Sequence, residues 1–130
     1  VHEQEISHHL GRGVRFMPHV ASFFRGISLT VSMELDRTIS EEELLQRYRA
    51  FYDSSPLIRV RAEIPEVAEV QGTHQVILGG FAVSDVDPHR VALVSVLDNL
   101  LKGAATQALQ NLNIAFGLDS MLGLDLTKGH

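Results

Sequence analysis

The feature that most constrains the fold is a nearly all-apolar run at residues 91–97, V-A-L-V-S-V-L, which leads directly into a long helical pattern. A strand with so little alternation is expected at the centre of a sheet, covered on both faces. Asp98 and Asn99 follow it where a helix N-cap belongs, and the helix over 98–116 ends at Gly117. The chain therefore places a buried strand and a long helix back to back.

The first half of that helix is built from small residues, with Gly103 followed by Ala104 and Ala105. Glycine inside a helix costs about 1 kcal/mol relative to alanine, so this sequence needs a compensating reason. Either a flat ligand or another backbone approaches this face, or the helix packs tightly on the sheet. The free N–H groups at the helix start would suit an anionic or amide-bearing ligand. Spacing alone leaves both alternatives open.

The remaining sequence alternates between strand and helix signals and predicts an α+β domain. Ser40 and Glu43 form a capping box before the clearest helix, and Gly79-Gly80 suggests a bulge within a strand. The predicted elements are a helix at 3–10, a strand region at 13–35 interrupted by a turn at 17–26, a helix at 41–53, strands at 57–61, 75–83 and 91–97, and the last helix. Hairpin-length connections favour a mixed, mostly antiparallel sheet with helices on one face.

Composition excludes several classes of function. A chain of 130 residues suits a single domain, and a net charge of −5 gives no footprint for nucleic acid. No apolar run approaches the roughly 20 residues of a membrane helix. Without cysteine there is no disulfide, thiolate metal site or cysteine nucleophile in the chain. No G-x-G-x-x-G follows a strand, and Ile6 breaks the H-E-x-x-H pattern that His2 begins, so neither a dinucleotide-binding unit nor a metal site is predicted.

Two polar residues, His19 and Arg25, stand among apolar neighbours in the turn region. The planar fork of an arginine binds carboxylate or phosphate through two parallel bonds. Arg25 is therefore either an anion ligand or one half of a structural salt bridge. Together with His2 and Asn99, these residues are the candidates for a common site.

Four segments together resemble a known family: H-E-Q-E-I, F-M-P-H-V-x-x-F-F-R-G-I, V-x-G-T-H and L-D-N-L-L-K-G-A-A-T-Q-A-L-Q-N-L-N. The combination is similar to the C-terminal domain of the N-acetyl-γ-glutamyl-phosphate reductases, in their fungal-type branch. The D-N-L-x-K-G-A-A stretch alone is also similar to aspartate-semialdehyde dehydrogenases. The resemblance implies the fold of a glyceraldehyde-3-phosphate dehydrogenase-like C-terminal domain.

The resemblance also implies a reaction and roles for residues. The family reduces N-acetylglutamyl 5-phosphate with NADPH to the 5-semialdehyde in arginine biosynthesis, through a cysteine thioester. By matching motif, His2 is the catalytic histidine, Arg25 and more weakly His19 bind the substrate, and Asn99, Lys102 and Gly103 lie beside the nicotinamide. The small-molecule substrate is an acyl phosphate, and NADP is held mainly by a domain that this chain lacks.

The resemblance further implies that residues 1–130 are the catalytic and dimerisation domain of a longer enzyme. Its cysteine and glycine-rich cofactor domain would precede His2, so this polypeptide alone is expected to be inactive. We expect association into homo-oligomers through the sheet, in the cytoplasm for a bacterial source or the mitochondrial matrix for a fungal one. The alternatives are reduction of aspartyl phosphate or a longer acyl phosphate, or a non-catalytic dimerisation domain.

Overall fold

The fold is a four-stranded sheet with a helix packed on one face, in the part of the chain, residues 2–125, that the computed structural model describes. The elements are α1 (His2–Leu10), β1 (Ile27–Glu34), α2 (Glu41–Tyr52), β2 (Ile58–Val60), a 3-10 turn (Val67–Glu69), β3 (Val76–Val83), β4 (Arg90–Leu97), a π-helical turn (Leu101–Ala105) and α3 (Thr106–Ala115). None of these helices is long and apolar enough to cross a membrane.

The strand order β1-β4-β3-β2 makes β4 central, as its apolar sequence predicts. β4 runs antiparallel to both β1 and β3, whereas β2 pairs with β3 in parallel. The predicted mixed, mostly antiparallel α+β sheet is confirmed. Ile27 of β1 and Val76 of β3 both lie opposite Leu97 of β4. The starts of β1 and β3 therefore meet the end of β4 at one end of the sheet.

Helix α2 supplies the main core. Ser40 caps it as predicted, since its Oγ accepts a hydrogen bond from the Glu43 N–H at 3.1 Å. The helix buries Leu44 and Leu45 against the sheet, and burial of each leucine contributes roughly 2 kcal/mol. The core cluster on this face consists of Ile39, Leu44, Leu45, Leu78, Phe81, Val91 and Leu93.

A smaller apolar cluster covers the opposite face near the end of β4. Val70, which follows the 3-10 turn, packs with Ile77 and Val96, and all three are buried. Farther along this face, Ala92 and Val94 are only half-buried. The second face of β4 is therefore covered at the end where the strand leads into Asp98.

The predicted bulge in β3 is confirmed. Gly79 pairs with Val94 and Ala82 with Ala92, so Gly80 and Phe81 together face the single residue between those partners. Gly80 has a φ of +62°, which favours glycine. A Cβ on Gly79 would lie 2.1 Å from the carbonyl oxygen of Glu63. The glycine pair thus admits both the bulge and the close approach of a neighbouring loop.

The predicted strand before the turn region is wrong, because β1 begins only at Ile27. Residues 13–26 form an irregular segment, although Val14, Arg15 and Phe16 alternate as a strand would. Strand structure requires a neighbour to pair with, and this segment pairs with none of the four strands described here. Met17, Val20 and Phe24 are exposed along it.

Candidate functional site

Three short segments converge where β1 and β3 begin and β4 ends. Arg25 and Gly26 precede β1, residues 71–74 precede β3, and Asp98 with Asn99 follows β4. The register at Leu97 brings these segments to the same end of the sheet. This junction is the candidate functional site, and direct side-chain contacts hold it together.

The carboxylate of Asp98 is the centre of the junction and is fully buried. Its Oδ2 accepts a hydrogen bond from the Gly72 N–H at 2.7 Å and lies 2.5 Å from Nε of Arg25. Its Oδ1 accepts from the N–H groups of Leu100 and Leu101, both at 2.9 Å. Burial acts to raise the pKa of Asp98, but hydrogen bonds from the Gly72, Leu101 and Leu100 N–H groups, together with the close Arg25 guanidinium, outweigh it and leave the pKa below its ordinary value. The group is therefore a carboxylate at neutral pH.

Arg25 forms the structural salt bridge that was one of its two predicted roles. Its Nε is close to Asp98 but not aligned for a hydrogen bond to any described residue, so the contact is an ion pair. Gln71 holds the backbone beside it, because its Nε2 donates to the Arg25 carbonyl at 2.7 Å. The Arg25 side chain keeps 28% of its surface exposed. Binding of a substrate anion by this exposed part stays a prediction.

Asn99 is tied to the same segment. Its Oδ1 accepts a hydrogen bond from the Gly26 N–H at 2.8 Å, so the amide NH₂ is the end left to donate to a ligand carbonyl. Gly26 has a φ of +114°, and a Cβ there would lie 2.3 Å from Cγ1 of Val67. The conformation and the crowding both require glycine at this position.

The helix after Asn99 opens with the π-helical turn. Gly103 N–H donates to the Asp98 carbonyl at 2.9 Å, five residues back. A Cβ on Gly103 would lie 3.1 Å from Cδ1 of Leu97 and 3.3 Å from the Asp98 carbonyl oxygen, so a side chain here would be tightly packed. Gly103, Ala104 and Ala105 nevertheless form an exposed surface without long side chains. Such a surface fits the face of a flat aromatic ring.

Lys102 contacts its own helix. Its Nζ donates to the side-chain oxygens of Gln107 and Gln110 at 2.7 and 2.6 Å. Burial lowers the pKa of Lys102 below its ordinary value. An ammonium has three hydrogens, and these two bonds use two of them. The predicted contact between Lys102 and a cofactor stays a prediction.

The structure does not bring His2 and His19 to this junction. Both are exposed. Contacts of His2 lie within its own segment: Nδ1 is 3.8 Å from a Glu5 carboxylate oxygen, and its ring centroid is 6.0 Å from that of Phe16. No residue of α1 is buried. Their predicted catalytic and substrate-binding roles stay predictions.

From the sequence alone, Asp98 is expected only as a helix cap, and residues 71–74 have no predicted role. The missed signal is the position of a carboxylate directly after the most apolar strand, where it must find several donors. His74, which also received no role, contacts the buried Thr106 through Nδ1 and Oγ1 at 2.7 Å. Across residues 2–125 there is no cluster of three or more histidine, cysteine or acidic residues able to hold a metal ion.

Comparison with known proteins gives consistent results. The family model for the semialdehyde dehydrogenase dimerisation domain matches residues 1–99. The N-acetyl-gamma-glutamyl-phosphate reductase of Xanthomonas campestris pv. campestris strain B100 is 48% identical over 124 residues, which is 95% of this chain and 39% of that protein. The mitochondrial bifunctional protein argC of Dictyostelium discoideum is 51% identical over 95% of this chain and 14% of its own length. The chain thus spans well under half of either relative.

Solved structures agree on the fold. A probable aspartate-semialdehyde dehydrogenase from Pseudomonas aeruginosa has a TM-score of 0.58 and 27% identity, over 73% of this chain and 29% of that one. Aspartate semialdehyde dehydrogenase II from Vibrio cholerae has a TM-score of 0.55 and 26% identity, over 71% and 28% of the two chains. The resemblance to N-acetyl-γ-glutamyl-phosphate reductases is therefore confirmed, and the chain belongs to the semialdehyde dehydrogenase family, whose dimerisation domain it carries.

Proposed function

We propose that this chain is the C-terminal domain of an NADPH-dependent N-acetyl-γ-glutamyl-phosphate reductase of arginine biosynthesis. The main support is the 48% identity to a reductase of that name over 95% of the chain. The Arg25–Asp98–Asn99 junction, which lies in the segments that resemble this family, is a second support. The cofactor domain and the nucleophilic cysteine would belong to a preceding part of the enzyme. A bacterial source would place it in the cytoplasm, and a fungal source in the mitochondrial matrix.

The reaction needs an anion-binding group and a proton carrier, and this chain offers both. A cysteine thiolate from outside the chain would displace phosphate from the acyl carbon and form a thioester. The exposed part of Arg25 would bind the substrate carboxylate or its phosphate. His2 would stabilise the thiolate and take up its proton, as a histidine beside a nucleophilic cysteine commonly does. The proton on His2 would pass to the departing phosphate, the thiolate would leave again when the aldehyde forms, and a proton from solvent would restore the starting state.

The start of the last helix suits the nicotinamide of NADPH. The bound cofactor supplies the hydride that reduces the acyl carbon. The amide NH₂ of Asn99 would donate to the carboxamide, because Gly26 already occupies its oxygen. The surface of Gly103 and Ala104 would leave room for the ring, and Lys102 would lie at its edge.

The sheet offers a surface for self-association. Ser28, Thr30 and Ser32 lie on the face opposite α2, beside Ala92 and Ala82. These side chains are short and leave a flat surface, and the family description itself refers to dimerisation. We propose that this face joins two copies of the chain. A non-catalytic dimerisation domain would use the same face, so the two proposals differ only in the activity.

The decisive experiment is a substrate panel with the full-length protein. We expect phosphate-dependent oxidation of N-acetylglutamate 5-semialdehyde with NADP to exceed oxidation of aspartate semialdehyde by at least 100-fold, because one misplaced polar group in a site commonly costs that much. The solved relatives make aspartate semialdehyde the relevant competitor. A preference for it would overturn the substrate assignment, and no turnover with either would overturn the enzyme proposal. The 130-residue chain alone is expected to show no turnover.

A further inference from the structure

The buried Asp98 carboxylate connects parts of the junction that the proposed reaction uses for different ligands. Its Oδ2 contacts Arg25, the proposed anion ligand. Its Oδ1 accepts from Leu100 and Leu101, in the turn that follows Asn99. Asn99 in turn accepts from Gly26, next to Arg25. The substrate side and the cofactor side of the junction therefore share one fixed group.

A capping role alone does not account for these contacts. Helix capping requires only the bonds from Leu100 and Leu101 to Oδ1. The second oxygen serves the Gly72 N–H and the guanidinium of Arg25, both far away in sequence. Because Asp98 is completely buried, it has no water to replace a lost partner. Asp98 thus holds all four groups at once.

We infer that Asp98 is a positioning residue that sets Arg25 for the substrate anion and Asn99 for the cofactor in a single arrangement. This inference rests on the proposed function for the identity of the two ligands. Asp98 itself touches neither ligand, because it has no exposed surface. Its effect passes through Arg25 on one side and through the 99–101 turn on the other.

The inference predicts that a single substitution at Asp98 weakens the binding of both ligands. In the full-length enzyme, Asp98→Asn keeps the shape and the capping oxygen but removes the charge that holds Arg25. Asp98→Ala removes both oxygens, and with them the bonds to the 100–101 turn as well as the contacts with Arg25 and Gly72. We expect each to raise KM for both the acyl phosphate and NADPH by about tenfold, a typical coupling between contacting groups. Asp87→Asn, at an exposed ion pair with Arg90, is the matched control and should change neither KM.

Combined substitutions separate positioning from loss of folded enzyme. Arg25→Ala should raise KM for the acyl phosphate alone. When Asp98→Asn is added to Arg25→Ala, KM for the acyl phosphate should rise no further, whereas KM for NADPH should still rise. Loss of folded protein would instead lower kcat with both KM values unchanged. Unchanged KM values, or effects of Asp98→Asn and Arg25→Ala that multiply, would overturn the inference.

A measurement without turnover separates this inference from the proposed function. Hydrogen exchange of the full-length protein should speed up together at residues 26, 72 and 100–101 in Asp98→Ala, whatever reaction the enzyme performs. Faster exchange at 100–101 alone would reduce Asp98 to a cap and overturn the inference. The wild-type protein could reduce no acyl phosphate while exchange at the three segments still speeds up together. In that case the proposed function is wrong, but the inference that Asp98 holds the three segments in place is retained.

Discussion

The Asp98 junction and the N-terminal segment, residues 2–24, contrast sharply within one chain. At the junction a buried carboxylate is bonded to backbone or side-chain groups of three separate segments. In the N-terminal segment α1 buries no residue, and the bond from the Val14 N–H to Ser7 Oγ at 3.1 Å is one of its few ties. Contacts within this chain hold the junction together. The N-terminal segment carries the proposed catalytic histidine without a comparable support.

The strongest test of this contrast is the substitution His2→Ala. In the full-length enzyme we expect kcat to fall by roughly 10²- to 10⁴-fold, the usual contribution of a positioned acid or base. Steady-state assays of the reductase measure this directly. His8→Ala in the same helix is the control and should retain wild-type kcat. Equal kcat values for the two variants would remove His2 from the mechanism and leave the junction as the functional part of this chain.

Gly26→Ala tests how rigid the junction is. The new methyl group would meet Val67 at 2.3 Å, in a backbone conformation of φ +114° that alanine rarely adopts. We expect the free energy of unfolding to fall by about 1–3 kcal/mol, measured by urea denaturation of this chain. Gly13→Ala lies in the N-terminal segment with open space around it and should change it by less than about 0.5 kcal/mol. Similar losses for both would contradict the contrast.

A smaller effect on stability is expected at low pH, in the loop that carries Glu69 beside the sheet. Arg61 holds Glu69 through two bonds of 2.7 and 2.6 Å. Bonds from Arg61 and from the Glu66 N–H lower the pKa of Glu69 to about 2. The stabilisation is therefore complete above the usual pKa of 4.5 and is lost as the pH falls toward about 2. The pair is partly exposed, which limits its size.

The variant Glu69→Gln should have a lower urea midpoint than the wild type at pH 7, and this difference should shrink steadily below pH 4.5. Glu34→Gln, at the far end of β1, is the control and should follow the wild type at each pH. A difference that stays constant down to pH 2 would show that the carboxylate charge is not responsible.

The smallest effect is expected in α1 itself. Leu10 is 60% exposed, whereas Leu45 of α2 is 6% exposed. In this chain Leu10→Ala should change the free energy of unfolding by less than about 0.5 kcal/mol, against roughly 2–5 kcal/mol for Leu45→Ala. Thermal and urea unfolding of the two variants measure both values. A loss above about 1 kcal/mol for Leu10→Ala would mean that α1 is packed as firmly as α2.

Local sequence signals predicted much of the fold and less of the site. The Ser40 cap, the Gly79-Gly80 bulge and the apolar strand at 91–97 each act through neighbours in sequence, so their patterns are readable. The strand expected at 13–16 depends on a pairing partner, which no local pattern reveals. The contacts of Asp98 join residues 25, 72 and 98. Such a junction arises from the register of the sheet, and the register cannot be read from a single sequence.

The bulge in β3 has a consequence for how this domain tolerates changes in length. The N–H of Gly80 is directed at the carbonyl oxygens of Ala62 and Glu63, at 3.1 and 3.2 Å, and so fastens the loop between β2 and β3 to the middle of the sheet. Deleting Gly80 would regularise the pairing with β4 but release that loop. Inserting residues into the loop near Ala62 would break the same hydrogen bonds to Gly80. A change in the length of this part of the domain therefore requires changes to the bulge and the loop together.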